Sequence, residues 1–431
     1  MDQNNTFRKY STYKDSGVVW LGEVPSHWDQ RRVKFQLTYQ KGKNPKDFVF
    51  EETDWVYLSM EYLRSNQAKI QYIKNTKGCI LVNNDEILML WDGSNAGEFI
   101  KSKKGILSST MALITLSNSD QNYAWHYLKV IEIQLRESTI GMGIPHVSSD
   151  EFKNLLFLLP PPEEQTRIAH FLDRKTNQID QAIAQKERLI ALLKERRQIL
   201  IHKAVTRGLD PNVKMKDSGV EWIGEVPEHW EVMRLKQCSS KISKGTTPST
   251  EGRSILDEGA IRYIKAENIQ DGFITDYPAH FIDEKTNSLI KRSELRENDV
   301  LFVIAGATLG KVAIISSAET PSNTNQAVAF VRPNSIVLPR FLSIWLTSSV
   351  IRELTWLDAV QSAQPNLSLE NLGNFPIFLP SFKEQKSIIE YVQKIETKIA
   401  TAINLKQAEI EKLKEYKATL INSAVTGKIK A

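Results

Sequence analysis

The chain has 431 residues, 41% hydrophobic and 25% charged, so two or more globular domains are expected, each able to bury its own core. No run approaches the roughly 18–20 apolar residues of a membrane span, and residues 1–10 lack the apolar centre of a signal peptide. A formal net charge of +5 permits a polyanionic partner without requiring one. The two cysteines, Cys79 and Cys238, fall at unrelated points and are expected to be reduced cytosolic thiols.

After a polar lead-in, residues 14–28 read Lys-Asp-Ser-Gly-Val-Val-Trp-Leu-Gly-Glu-Val-Pro-Ser-His-Trp. The same pattern returns 202 residues later, at 216–230, so the chain is two versions of one unit laid end to end. The signature is too rich in Gly, Pro and Trp for a regular helix. It is expected to be a packed loop anchored by Trp20 and Trp28 in the first copy and by Trp222 and Trp230 in the second. Strand-like runs follow at 55–60, 79–82, 86–91 and 111–116, bounded by Gly, Asn, Asp and Lys. Helical spacing covers 123–136. The loop 139–146 comes next, then a short helix opened by the Ser148 and Glu151 capping pattern, then a strand over 152–159.

Pro160-Pro161-Pro162 stops that strand. Glu163 and Glu164 favour a helix start, and a helix without internal Pro or Gly is predicted over 163–205, ended by Gly208. Its apolar stripe is Ile168, Leu172, Ile179, Ile183, Ile190, Leu193 and Leu200, interrupted by Lys186 and Arg197. The second half repeats the plan. Strands are predicted at 261–265, 300–305, 312–315 and 327–331, a helix at 341–354, the polar loop 361–366, a short helix from Ser368 and a strand at 375–379. A Ser381/Glu384 capping box then starts a long helix running to Val425. The two long helices align without a gap, Glu164-Gln165 with Glu384-Gln385 and Ala204-Val205-Thr206 with Ala424-Val425-Thr426. Two helices with one stripe are expected to pack antiparallel as a rod on the order of 60 Å long, with a globular unit at each end.

Catalytic signals are lacking. Zinc spacing and His-Glu-x-x-His do not occur. Gly306-Ala307-Thr308-Leu309-Gly310-Lys311 is one residue short of a phosphate loop and has no hydroxyl after its Lys, so it reads as a turn between strands. Neither a glycine-rich nucleotide fingerprint nor the Asn-Pro-Pro-aromatic tetrad of adenine methylation is found. Binding chemistry remains. Lys101, Lys103 and Lys104 stand beside Ser109 and Thr110, with His146 in the later loop. The second half offers Lys241, Lys244, Thr246, Thr247, Lys265, Asn268, Lys311, Asn325 and Gln326, then Gln364 and Asn366. Lys and Arg neutralise phosphates and give salt-dependent affinity; Asn and Gln match base edges in the major groove.

The repeated signature, Leu-Pro-Pro-Pro-Glu-Glu-Gln at 159–165 echoed at 379–385, and the long helices ending in Ala-Val-Thr together resemble the DNA-specificity subunits of type I restriction–modification systems. The resemblance covers nearly the whole chain. It implies an α+β fold with two target-recognition domains in pseudo-twofold arrangement, separated by an antiparallel pair of long helices. The expected divisions are 1–157 and 208–377 for the recognition domains, 158–207 and 378–431 for the helices. It implies a non-catalytic, cytoplasmic subunit that binds double-stranded DNA and recruits two methyltransferase subunits and restriction subunits. S-adenosylmethionine then belongs to the methyltransferase, and ATP and Mg to the restriction subunit. Residues shared by the halves (Trp20, Trp28, Glu164, Gln165 and their counterparts Trp222, Trp230, Glu384, Gln385) are expected to serve scaffold and docking. Residues that differ are expected to read bases, giving an asymmetric bipartite target with half-site centres about 34 Å apart. The competing readings are a self-contained DNA-modifying enzyme and a coiled-coil tether that binds no nucleic acid.

Overall fold

The computed structural model describes residues 7–65, 69–139, 145–220, 223–359 and 366–431. The first signature is a small antiparallel hairpin, not a loop: Tyr13–Asp15 (β1) pairs with Glu23–Pro25 (β2). Asp29–Arg32 (β3) and Leu37–Lys41 (β4) follow. The run expected as a strand at 55–60 splits. Tyr57–Leu58 (β5) is strand, but Ser59 accepts the amide of Tyr62 at 3.1 Å and caps a short helix, Met60–Arg64 (α1). Then come Leu81–Val82 (β6), Ile87–Leu90 (β7), Phe99–Lys101 (β8), Gly105–Leu107 (β9), Met111–Leu116 (β10) and the helix Gln121–Glu137 (α2). Four strands form an antiparallel sheet in the order β8-β7-β10-β4, and β9 lies between β5 and β6 in a second sheet. Phe152 belongs to Ser149–Asn154 (α3); the strand expected from 152 starts only at Leu156–Leu159 (β11), which pairs with β3. Pro162–Arg207 (α4) is the first long helix.

The second half reuses this frame. Met215–Asp217 (β12) pairs with Glu225–Pro227 (β13). Glu231–Arg234 (β14), Ser239–Lys244 (β15), Ile261–Ile264 (β16), Val300–Val303 (β17), Val312–Ile314 (β18), Ser322–Thr324 (β19) and Val328–Pro333 (β20) follow. The order β15-β20-β17-β18 matches β4-β10-β7-β8. The parallel pair β16–β19 likewise matches β5–β9. The helix expected over 341–354 is two helices, Pro339–Leu346 (α5) and Ser349–Ala359 (α6). At the break Thr347 turns its hydroxyl back to the Ile344 carbonyl at 2.9 Å, a local bond that competes with the helix ladder, and Ser348 is buried. The first half has Lys129 and Val130 there, counting from the matched caps Asp120 and Leu338, and α2 is continuous. Leu369–Asn374 (α7) and Pro376–Leu379 (β21, paired with β14) lead to the second long helix, Phe382–Val425 (α8).

The chain divides into two compact units, residues 1–186 with 408–431, and residues 187–407. Each unit owns half of each long helix. In the first unit the stripe residues Ile168, Leu172 and Ile179 are buried in one core with Leu420, Ala424 and Val425 of α8. The helices run antiparallel there: Lys417 Nζ lies 2.6 Å from Asp180, and Lys186, expected as a break in the stripe, is ion-paired to Glu409. In the second unit Ile201, Ala204 and Val205 share a core with Ile388 and Val392. Burying such side chains stabilises by about 1.5–3 kcal/mol each, so tertiary packing, not helix propensity, holds these long segments helical.

Candidate nucleic-acid interface

The shared residues build a clamp on the long helices. Lys14 Nζ donates to the Trp28 carbonyl at 2.6 Å, and Lys216 Nζ donates to that of Trp230 at 2.7 Å; both indoles are fully buried. His27 Nε2 lies 2.9 Å from Glu164, in the first turn of α4, and His229 Nε2 lies 2.9 Å from Glu384, in the first turn of α8. Burial opposes ionisation of both glutamates, yet the polar groups around them, His27 and Tyr10 for Glu164 and His229 and Trp230 for Glu384, hold both carboxyls below the ordinary value. Gln165 and Gln385 are buried and make matched bonds. Each amide nitrogen donates to the preceding proline carbonyl, Pro160 at 2.8 Å and Pro380 at 3.0 Å. Each amide oxygen accepts a helix-capping amide, Asp120 at 2.9 Å and Leu338 at 2.8 Å. Trp20 is half-buried against the first core; Trp222 lies outside the described residues.

Each signature also seats a helix C-terminus. Gly427, past the end of α8, lies against Pro25 and Trp28 with φ +74°. Gly208, past α4, lies against Trp230 and Pro227 with φ +71°. A helix end that closes in the left-handed region favours glycine.

At one end of each four-stranded sheet the frame is the same and the side chains are not. Gly42 and Gly245 end the matched strands β4 and β15. A Cβ on either would lie 2.1 Å from a main-chain oxygen, of Ser108 and of Thr324 respectively, so the strand crossing requires glycine. The turns after β7 and β17 share two pairs of main-chain bonds. Gly97 N donates to Leu90 O at 2.8 Å and Gly310 N to Val303 O at 2.9 Å; Val147 N donates to Trp91 O at 2.9 Å and Leu367 N to Ile304 O at 2.8 Å. Single β-bridges, Asp92 with His146 and Ala305 with Asn366, complete each rim. The Gly306–Lys311 run is thus the turn between strands that its sequence implied.

The first rim carries Lys41, Asp92, Ser109, Thr110 and the exposed His146. Lys41 Nζ lies 3.1 Å from Asp92 and 5.4 Å above the Trp91 ring, which packs at a tilt with its centroid 4.5 Å from that of Tyr39. Lys101, Lys103 and Lys104 lie elsewhere. The register Lys101↔Ile87 puts Lys101 at the opposite end of β7 from this turn. The three ammonium groups stand over Trp125, Tyr62 and Trp55.

The second rim has an open cleft of about 360 Å³ lined by Lys265, Glu267, Ala305, Gly306, Thr308 and Asn325; Asn366 bridges to Ala305, and Lys244, Thr247 and Gln326 flank the matched strand ends in sequence. Lys265 Nζ and His280 Nε2 lie 2.9 and 3.0 Å from Glu267, and their hydrogen bonds lower that carboxyl's pKa. Four expected contacts spend their polar groups within the fold. Asn268 is buried, its amide donating to Pro278 O at 2.8 Å and its oxygen accepting the Lys265 amide at 3.1 Å. Thr246 is buried and accepts from Arg292 Nε at 3.1 Å, and Lys241 Nζ donates to Arg292 O at 2.7 Å. Lys311 donates to Gln270 Oε1 at 2.6 Å. These four serve the scaffold: Asn268 and Lys241 bond main-chain carbonyls, and Thr246 and Lys311 bond the side chains of Arg292 and Gln270. Gln364 lies outside the described residues. The sequence reading missed Lys41; aligning Lys41-Gly42 with Lys244-Gly245 would have found it.

Among the described residues no three His, Cys, Asp or Glu side chains converge as metal ligands do, and no helix is long and apolar enough to cross a membrane. The family model for the type I restriction modification DNA specificity domain matches twice, over residues 25–190 and 227–412. The type I restriction enzyme MjaVIII specificity subunit of Methanocaldococcus jannaschii is 32% identical over 415 residues, covering 94% of each chain. The EcoBI specificity subunit of Escherichia coli is 28% identical over 320 residues, covering 72% of this chain and 66% of that one. Among solved structures, one from a study of complex assembly and conformational transition in the type I R-M system aligns over 93% of this chain and 98% of its own, with a TM-score of 0.69 at 16% identity. The HsdS subunit of Thermoanaerobacter tengcongensis aligns over 94% and 98%, with a TM-score of 0.50 at 17% identity. With its doubled domain and its two clamped helices, the chain belongs to the DNA-specificity subunits of type I restriction–modification systems, the recognition components of those enzymes.

Proposed function

We propose that each unit reads one half of an asymmetric, bipartite DNA target through the rim of its four-stranded sheet. The observation that carries this reading is the pairing of one frame with two chemistries. Gly42/Gly245, the two turns and the two bridges coincide, whereas Asp92 is replaced by Ala305, Ser109 by Gln326 and His146 by Asn366. A frame that keeps its backbone while exchanging exposed donors and acceptors is suited to reading different base edges. Lys41 and Lys244, at matched positions before the close-packed glycines, supply positive charge for phosphate or guanine.

The shared clamp residues around Trp28 and Trp230 serve the scaffold and the docking of two methyltransferase subunits, with restriction subunits joining them. Adenine N6 methylation draws on S-adenosylmethionine held by the methyltransferase, and cleavage on ATP and Mg in the restriction subunit, in the cytoplasm. The chain itself contributes address, not chemistry. The test is to purify it with and without its methyltransferase subunits and assay methyl transfer and protection of duplex DNA. The complex is expected to methylate and protect a two-part asymmetric site, and the lone chain to transfer no methyl group. Methyl transfer by the lone chain would refute the reading.

A further inference from the structure

We propose that Asp92 is a specificity-determining residue of the first unit, accepting a hydrogen bond from the N4 amino group of a cytosine in the major groove. This rests on the reading that the rim faces DNA. The turn does not need a carboxylate, because Ala305 holds the matched position with the matching bridge to Asn366, and Ile304 N donates to Ala327 O at 2.8 Å as Trp91 N does to Thr110 O. The main chain that carries the carboxylate is held on both sides. Trp91 N and Asp92 N both donate to Thr110 O, at 2.8 and 3.2 Å, and Gly93 N donates to Pro145 O at 2.9 Å. Beneath it, buried Trp91 is packed on Tyr39, whose hydroxyl lies 2.8 Å from Ser149 Oγ. The side chain stays about a third exposed beside the ammonium of Lys41.

A carboxylate on a DNA-facing rim is repelled by phosphates, so it favours binding only where a base donor meets it. The major-groove edge of a C·G pair presents one donor, cytosine N4, beside two acceptors, guanine O6 and N7. Asp92 and Lys41, 3.1 Å apart, offer one acceptor beside one donor, which matches that edge. An A·T pair also carries an amino group, but it sets a thymine methyl near the charged pair. In the second unit the matched positions are Lys244 and Ala305, and alanine supplies no acceptor there.

The experiment is selection from a random duplex pool at fixed salt, with the chain in complex with its methyltransferase subunits, for wild type, Asp92→Ala and Asp92→Asn. The wild type is expected to select a C·G pair at one position of one half-site. Asp92→Ala loses about ten-fold in preference there, as the loss of one base-edge bond predicts. Asp92→Asn shifts the same position toward A·T, because an amide pairs with adenine N6 and N7. The other half-site, selected by the same molecules, keeps its sequence and reports that the complex is intact. An unchanged consensus with either variant overturns the proposal, as does a wild-type half-site without C·G at the affected position. Wild type selecting no sequence at all would overturn the recognition reading itself, and this proposal with it.

Discussion

His27 Nε2 lies 2.9 Å from Glu164 Oε2, which joins the signature that opens the first unit to the first turn of the long helix α4. His229 and Glu384 repeat the contact in the second unit. Both carboxyls are held below the ordinary 4.5 despite their burial. A lowered folded-state value means that the unfolded chain takes up protons first. Their stabilisation is therefore complete above pH 4.5 and is lost as pH falls through the lower folded values. Glu164→Gln is expected to destabilise the first unit by about 1–3 kcal/mol at pH 7 and to flatten its acid unfolding curve, measured by circular dichroism. An equally steep acid limb in the variant would contradict the assignment.

Gly427 and Gly208 make a paired test of how tightly each signature seats a helix end. A Cβ at 427 would lie 2.3 Å from Pro25 Cδ, whereas one at 208 would lie 3.3 Å from the Trp230 ring. Both substitutions incur the left-handed backbone cost of about 1–2 kcal/mol, but only Gly427→Ala also has to move a proline ring. Thermal unfolding is expected to fall further for Gly427→Ala than for Gly208→Ala. The reverse order would be inconsistent with this packing.

The long helices were the most legible part of the sequence. Their caps and terminal glycines agree with the stripe; the first helix extends its predicted bounds by one residue at the start and two at the end, and the second runs from its Ser381 cap to Val425 as predicted. The signature was legible as a repeat but not as a hairpin, since β1 and β2 have only three residues each and pair across a turn. The helix break at Thr347-Ser348 was hidden because the apolar spacing runs straight through it. The rims were hardest. Lys41 meets Asp92 across 51 residues, and Asn268 turns inward for partners that only the fold supplies.

Leu172 and Val392 occupy matched positions of the stripe, each fully buried in the core of its own unit. Replacing either by Ala is expected to cost about 2–5 kcal/mol for Leu172 and less for Val392. Limited proteolysis is expected to expose the mutated unit first. Simultaneous cleavage of both units would argue that they unfold as one.

Lys101, Lys103 and Lys104, poised over Trp125, Tyr62 and Trp55, stand apart from the rim turn. Replacing all three by Ala is expected to lower the slope of log K against log salt by about 2–3. An unaltered slope, measured by filter binding of the complex across a salt series, removes them from the footprint and leaves the charge contact to Lys41 and Lys244.

The central claim is that two units on one frame read two half-sites independently. Its most direct measurement replaces residues 33–155 with the corresponding segment of another family member and determines the selected target of the resulting complex. One half-site is expected to change while the other stays base for base the same. A change in both half-sites, or in neither, would contradict the account.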